Sequence, residues 1–185
     1  NKIKKLIPLI GNVARYDTKK DHQNLLNALS IIRSKKIDFF CFLVGSNINK
    51  TNFKLVSEIN QLNLSNYIKL FGQNDNLLEI MNGLDIYIQS SSYGEGFPNV
   101  VAEAMACGTP CIVTDVGDAS FIVSNTGWVV PPNSPNKLAK VIEKALTEIG
   151  TKRWKKRCEA ARSRLKEKFG MNKMISSYSR LWYEV

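Results

Sequence analysis

Residues 93–110 have the sequence YGEGFPNVVAEAMACGTP, and this stretch determines which fold the rest of the chain can adopt. Proline suits the first position of a helix because its missing N–H would have no partner there, so we expect a helix to begin at Pro98 or Asn99. Gly108 is predicted to end that helix, since glycine readily takes the left-handed conformation that follows one. Residues 109–114 then predict a buried strand. A glycine turn, a helix and a buried strand in succession indicate an α/β sheet.

The same alternation of strand and helix extends along the chain on both sides of this stretch. Segments of strand length and of helix length cover residues 6–13, 25–33, 39–44, 53–61, 67–71, 77–81, 84–89 and 136–149. They predict a Rossmann-like, doubly wound parallel sheet with helices on both faces. Ligands bind such sheets outside the carboxyl ends of the strands. We expect four glycine turns at that edge: Gly11-Asn12, Gly45-Ser46, Gly72-Gln73 and Gly94-Glu95-Gly96.

The turn before the predicted helix has the chemistry of an anion and sugar site. Gly94 and Gly96 are expected to adopt positive φ and to let a ligand approach the backbone. The first amides of a helix have no partner within it, so they can donate to a diphosphate. A carboxylate at Glu103, one turn beyond Asn99, can accept two hydrogen bonds from a ribose diol, and Glu95 lies on the turn itself. These features predict a sugar-nucleotide site.

Two blocks of sequence resemble the retaining family 4 glycosyltransferases, which have the GT-B fold. The first is Glu95-Gly-Phe-Pro-Asn followed by Glu103-Ala-Met-Ala-Cys-Gly-Thr-Pro, which is similar to the paired-glutamate motif of that family. The second is residues 11–22, GNVARYDTKKDH, which resemble the glycine, arginine and lysine segment that holds the donor diphosphate. The resemblance covers roughly residues 6–146 in order. It implies one half of a GT-B enzyme, the carboxyl-terminal half that binds the donor.

The resemblance also implies which residues perform the chemistry. Glu95 is expected to orient the hydroxyl groups of the donor sugar, while Arg15 and Lys20 stabilise charge on the leaving diphosphate, so these three are the predicted catalytic residues. The predicted donor-binding residues are Gly11, Gly96, Phe97, Pro98, Asn99, Glu103, Phe71 and Gly72. The sequence has no Asp-x-Asp pair, so we expect neither a metal ion nor another cofactor.

The implied activity is transfer of a sugar from a nucleotide diphosphate sugar with retention of the anomeric configuration. The expected donor is a UDP-hexosamine or UDP-hexose, and the expected acceptor is a saccharide or a polyprenyl-diphosphate-linked sugar. A composition rich in asparagine, isoleucine and lysine, together with a basic surface, fits synthesis of a bacterial surface polysaccharide such as O-antigen, lipopolysaccharide or capsule. A non-catalytic nucleotide-sugar-binding module and a GT-B sugar-nucleotide epimerase stay open as alternatives.

Chain length bears on the domain organisation. The 185 residues suffice for one nucleotide-sugar-binding domain with its own core. A GT-B enzyme has two such domains, so we expect its own amino-terminal domain to be absent here, with residues 1–5 as the remnant of an interdomain linker. Residues 151–185 are expected to form carboxyl-terminal helices, including an amphipathic stretch at 175–182, that brace the absent domain.

The formal net charge of +10 is concentrated near the carboxyl end. Residues 152–168 contain a dense run of lysine and arginine, for which a solvated helix face and an anionic membrane surface are the two explanations that we retain. Nucleic acid is not an expected partner. Because the sequence has neither a secretory signal nor an apolar run of about 20 residues, we expect a cytoplasmic protein, peripheral at the inner face of the bacterial cytoplasmic membrane.

The cysteines and the single histidine are expected to have structural roles. Cys41, Cys107 and Cys111 are predicted to be buried, reduced core thiols, since the cysteine spacing is not that of a metal site. His22 follows Asp21 at a predicted helix start, which favours a structural or peripheral role over a catalytic one.

Overall fold

A computed structural model describes residues 7–183 and contains one six-stranded parallel sheet in the order β3-β2-β1-β4-β5-β6. The strands are β1 (Leu9–Val13), β2 (Phe40–Val44), β3 (Ile68–Leu70), β4 (Ile86–Gln89), β5 (Cys111–Thr114) and β6 (Trp128–Val130). The predicted doubly wound parallel sheet is confirmed. The predicted linker at residues 1–5 lies outside the described residues.

Helices cover both faces of the sheet. They are α1 (His22–Ser34), α2 (Phe53–Gln61), α3 (Leu77–Gly83), α4 (Asn99–Ala106), α5 (Ala119–Val123), α6 (Pro135–Glu148), α7 (Lys152–Phe169) and α8 (Met171–Tyr183). One apolar core lies between the sheet and α1, α2 and α6, and a second lies between the sheet and α3, α4, α5 and α7. The strands between these cores are buried on both faces, which is why they are almost continuously apolar.

The structure differs from the sequence prediction at β6 and at the turn predicted around Gly11. The helix predicted at 53–61 has those bounds, whereas β6 was not predicted as a strand. The turn predicted at Gly11-Asn12 is wrong, since both residues lie inside β1. Gly11 is needed there for packing, because a Cβ on it would lie 2.2 Å from the Cδ1 atom of Leu84.

We therefore expect Gly11→Ala to lower the free energy of unfolding by about 1–3 kcal/mol, since the added methyl group overpacks a buried contact. Chemical denaturation measures this change. Gly83→Ala is the matched control, because a Cβ on Gly83 would meet no described atom within 4 Å. Equal stability of the two variants would contradict the packing role of Gly11.

Two arginines of the basic segment anchor α7 to the rest of the domain. The Nε atom of Arg157 lies 3.0 Å from Glu148, and its guanidinium group lies 4.0 Å from the centre of the Trp128 ring. Arg164 donates to the carbonyl groups of Phe121 and Ile122 at 2.6 and 2.8 Å. A solvated helix face is therefore the wrong description for these two residues, because they join α7 to α5, α6 and β6.

The last helix, α8, leaves its apolar side exposed. Met171, Met174, Ile175, Tyr178 and Leu181 recur at helical spacing and are between 48% and 66% exposed. No described helix is both long and apolar enough to cross a membrane.

Of the cysteines predicted to be buried, Cys41 and Cys111 are buried, whereas Cys107 is only half-buried because it lies at the end of α4.

Candidate functional site

The candidate site lies at the carboxyl ends of β1 and β4, where the strand order reverses. Loops that leave neighbouring strands toward opposite faces of the sheet open a crevice between them. The loop after β1 contains the short turn Thr18–Lys20, and the loop after β4 contains residues 93–98, which we call the glycine turn. The N–H of Ser92 donates to the Lys19 carbonyl group and the Ser90 hydroxyl donates to the Lys20 carbonyl group, both at 2.8 Å. These bonds fix the two loops to each other.

Lys20 and Glu95 form an ion pair inside the crevice. The Nζ atom of Lys20 lies 2.6 Å from the Oε1 atom of Glu95, and the Ser91 hydroxyl donates to the same oxygen. The Glu95 side chain is only 9% exposed. Burial alone would raise the pKa of Glu95, but the hydrogen bonds from Lys20 and Ser91 outweigh burial and hold that pKa below its usual value. The crevice therefore contains a charged carboxylate beside a cation.

The loop after β5 supports the glycine turn from the other side. Gly94 has the predicted positive φ of 71°, but Gly96 does not, so that prediction is wrong for Gly96. The Gly96 carbonyl group instead accepts a hydrogen bond from the N–H of Asp118 at 2.9 Å. Gly117 allows the loops to meet, since a Cβ on it would lie 2.4 Å from the carbonyl oxygen of Glu95. A Cβ on Gly96 would meet no described atom within 4 Å, so the backbone is open to a ligand there.

Helix α4 begins directly after the glycine turn. Pro98 precedes the helix at the cap position instead of occupying its first turn, and no described side chain forms a cap hydrogen bond there. Amides of an uncapped first turn are available to an anion. Val101, Ala104 and Met105 turn inward to the core, which leaves Asn99 and the opposite side of α4 exposed.

Glu103 stands on that exposed side between two cavities. One cavity has a volume of about 520 Å³ and lies between α4 and α7, where Phe97, Arg162 and Phe169 line it with Glu103. The other has a volume of about 470 Å³ and lies between α3 and α4, where Leu77 also lines it. Each is large enough for part of a nucleotide. The structure thus places Glu103 one helical turn from the start of α4, as predicted.

The remaining predicted site residues are less closely grouped. Arg15 follows β1 but is 62% exposed and pairs with Asp17 at 3.2 Å, so it lies outside the Lys20–Glu95 contact. The Phe71 ring packs at 4.7 Å against Phe42, which leaves its backbone as the part that can contact a ligand. Gly72 has a φ of 69° and accepts from Gly45 at the edge of the sheet. Gly11 lies within β1 and not in a loop.

Sequence reasoning missed the residues that support the site from behind. Ser91, Gly117 and the backbone of Asp118 contact the glycine turn, yet only the serine run 90–92 after a buried strand marks one of them in the sequence.

The predicted helix start at His22 is confirmed, with Asp21 as its cap. Burial, together with the nearby Lys20 charge, lowers the pKa of His22 to about 4, so His22 is neutral at neutral pH.

Metal binding has no support in the described residues. Within residues 7–183, no three histidine, cysteine, aspartate or glutamate side chains are grouped so that they could hold a metal ion. The expectation of metal independence stays a prediction.

Comparison with protein families matches residues 1–174 to the family described as glycosyl transferases group 1. The chain belongs to that family. A crystal structure of a glycosyltransferase from Rickettsia africae ESF-5 superposes on it with a TM-score of 0.87 at 31% identity and covers 96% of this chain. The predicted half of a GT-B fold, its carboxyl-terminal domain, is confirmed by this likeness.

Two of the curated relatives of this group 1 glycosyltransferase chain have names that include an N-acetylhexosaminyl group. N-acetyl-alpha-D-glucosaminyl L-malate synthase of Bacillus anthracis is 26% identical over 96% of this chain. N-acetylgalactosamine-N,N'-diacetylbacillosaminyl-diphospho-undecaprenol 4-alpha-N-acetylgalactosaminyltransferase of Campylobacter jejuni is 30% identical over 57% of it. The chain covers 45% of the first relative, 27% of the second and 48% of the Rickettsia chain, so it spans about half their length or less.

Proposed function

We propose that this chain is the donor-binding domain of a retaining glycosyltransferase that transfers a sugar from a nucleotide diphosphate sugar to a saccharide or lipid-linked acceptor. The observation that carries the proposal is the partly buried Lys20–Glu95 pair, which lies beside the glycine turn and the start of α4. A cation for phosphate, a carboxylate for sugar hydroxyls and free helix amides are the groups that such a donor requires.

The proposed reaction breaks the bond between the anomeric carbon and the diphosphate oxygen. Negative charge then develops on the nucleoside diphosphate, and Lys20, Arg15 and the first amides of α4 stabilise it. The acceptor oxygen bonds to the anomeric carbon on the same face, and its proton passes to the leaving phosphate oxygen. No metal ion enters this scheme.

The ion pair itself implies a rearrangement when donor binds. Lys20 pairs with Glu95 in the structure described here, whereas a bound diphosphate would attract the Lys20 ammonium group away from it. Glu95 would then accept hydrogen bonds from the donor sugar, and Ser91 would keep its carboxylate in place. The pair thus holds Glu95 charged and oriented before the donor arrives.

The donor, acceptor and partners are proposed with the relatives as support. The Bacillus anthracis and Campylobacter relatives have N-acetylhexosaminyl names, and the name of the Campylobacter enzyme includes diphospho-undecaprenol. We therefore favour a UDP-hexosamine or UDP-hexose donor and a polyprenyl-diphosphate-linked acceptor in bacterial surface polysaccharide synthesis at the inner face of the cytoplasmic membrane. The exposed apolar side of α8 would pack on the amino-terminal domain.

Calorimetric titration with UDP, GDP, ADP and their sugar conjugates, with and without magnesium, tests donor binding. We expect metal-independent binding of one nucleotide, weakened by about 1–3 kcal/mol in Glu103→Ala because a carboxylate that accepts from the ribose diol is lost. Glu79→Ala is the matched control, since Glu79 is an exposed helix residue of α3 outside both cavities.

Unchanged affinity in Glu103→Ala would remove that residue from the site. Absence of binding to every nucleotide, both in this chain and after the amino-terminal domain is joined to it, would overturn the proposed function. Binding without sugar transfer in the joined enzyme would favour the non-catalytic module, and conversion of the donor sugar without an acceptor would favour the epimerase.

A further inference from the structure

Five cations form a row along the solvent side of α7. The row, which we call the cationic stripe, consists of Lys152, Lys155, Lys156, Arg162 and Lys166. At 3.6 residues per turn these positions fall within an arc of about 120°, and at 1.5 Å per residue the row is about 21 Å long. All five residues are exposed. The opposite side of α7 packs on the domain through Ala161, Leu165 and Phe169.

The fold does not use the stripe for its own stability. Arg157 and Arg164 point toward the domain and form its ion pair and carbonyl hydrogen bonds, whereas no stripe residue forms an ion pair within residues 7–183. Like charges three or four residues apart on a helix repel each other, as Lys152 and Lys156 or Arg162 and Lys166 do. Glu159 lies in the same arc, four residues after Lys155 and three before Arg162, and offsets part of this repulsion, so the stripe presents an excess of cations to solvent.

We propose that the cationic stripe binds a membrane surface that contains anionic phospholipids. Four of its five members are lysines, which are compact, strongly hydrated charges suited to a diffuse layer of headgroups, and each contributes to such binding. Trp154, the aromatic residue of the same segment, stacks inward on Trp128 at 6.4 Å, so the stripe offers no exposed aromatic ring for nucleobases.

The stripe ends beside the candidate site. Arg162 lines both cavities next to Glu103, and Lys166 lines the larger one. A membrane against the stripe would therefore lie next to these cavities. The benefit of this position rests on the proposed function, since only an enzyme with a lipid-linked acceptor gains from it. Binding of the stripe to lipid does not depend on the proposed function.

Co-sedimentation of the 185-residue chain with vesicles tests the stripe. We expect binding to phosphatidylcholine vesicles that contain about one third phosphatidylglycerol, no binding to pure phosphatidylcholine, and loss of binding between about 0.1 M and 0.5 M NaCl. The triple variant Lys155→Gln, Lys156→Gln, Lys166→Gln should bind about 100-fold more weakly, since each cation near such a surface contributes a factor of about five.

The matched control is Lys137→Gln, Lys140→Gln, Lys144→Gln, which removes the same charge from exposed positions of α6 on the other face of the sheet. We expect this control to bind vesicles within about threefold of the unchanged chain. Equal losses in the two triple variants, or no vesicle binding by the unchanged chain, would overturn the proposal. Tight binding of duplex or single-stranded nucleic acid that only the stripe variant loses, without vesicle binding, would assign the stripe to nucleic acid instead. Each variant is also titrated with nucleotide. Loss of vesicle binding with unchanged nucleotide affinity concerns the stripe alone, whereas loss of nucleotide binding concerns the proposed function.

Discussion

Lys20→Met is expected to lower the turnover of the proposed two-domain enzyme by about 10²–10³-fold, because one preorganised group that stabilises charge on a leaving group contributes about this much. Methionine keeps the length of the side chain but cannot neutralise the diphosphate. It also leaves Glu95 buried without its counter-charge, since Lys20 lies 2.6 Å from that carboxylate. Steady-state kinetics with a saturating sugar nucleotide measure the change.

Lys19→Met is the control for this prediction. Lys19 is the neighbouring residue in the same turn, but its side chain is exposed and lies against Gly94 instead of pairing with Glu95. We expect its turnover to stay within about fivefold of the unchanged enzyme. If Lys20→Met also stayed within about tenfold while folding normally, Lys20 would not stabilise the leaving group and the proposed chemistry would need another cation.

Arg157→Ala is expected to lower the free energy of unfolding by about 3 kcal/mol, since it removes one partner of a mostly buried ion pair. The Arg157 and Glu148 side chains are 11% and 9% exposed, and Arg157 also donates to the Thr126 carbonyl group and lies over Trp128. Loss of this residue loosens α7 from α6 and β6. Urea denaturation monitored by tryptophan fluorescence reports the change, because Trp128 and Trp154 stack at this contact.

Arg153→Ala serves as the matched control. Arg153 also pairs with Glu148, at 3.3 Å, but its side chain is 68% exposed. Exposed pairs of this kind contribute about 1 kcal/mol or less, because water screens them and the long side chain must be ordered. A loss in Arg157→Ala no larger than that in Arg153→Ala would mean that burial adds nothing to this contact.

The sequence singled out residues of the candidate site but not the residues that surround them. Glu95 and Glu103 were singled out from motif chemistry and Lys20 from the family resemblance, and the structure places Lys20 and Glu95 in contact although 75 residues separate them. Ser91 and Gly117 were not identified. Their contacts with the glycine turn depend on which loops adjoin it, and a local pattern contains no information on neighbours that are distant in sequence.

The basic segment also shows that a local pattern does not reveal contacts with residues distant in sequence. Its composition predicted a charged helix but could not sort the arginines, because positions 157 and 164 differ from 162 only by the direction in which the helix turns them. Once α7 is placed on the domain, Arg157 and Arg164 become structural contacts and Arg162 remains exposed beside the cavities.

The sequence by itself determined most of the strands and helices, the parallel sheet and the glycine turn with its glutamates, because hydrophobic periodicity and short motifs are properties of neighbouring residues. Only the tertiary structure decided that Lys20 pairs with Glu95, that Gly11 packs against Leu84, that Gly117 supports the turn, and that α7 has one anchored side and one cationic side. These features follow from the order in which strands pair and from the rotation of helices on the sheet. Both are fixed by packing between segments distant in sequence.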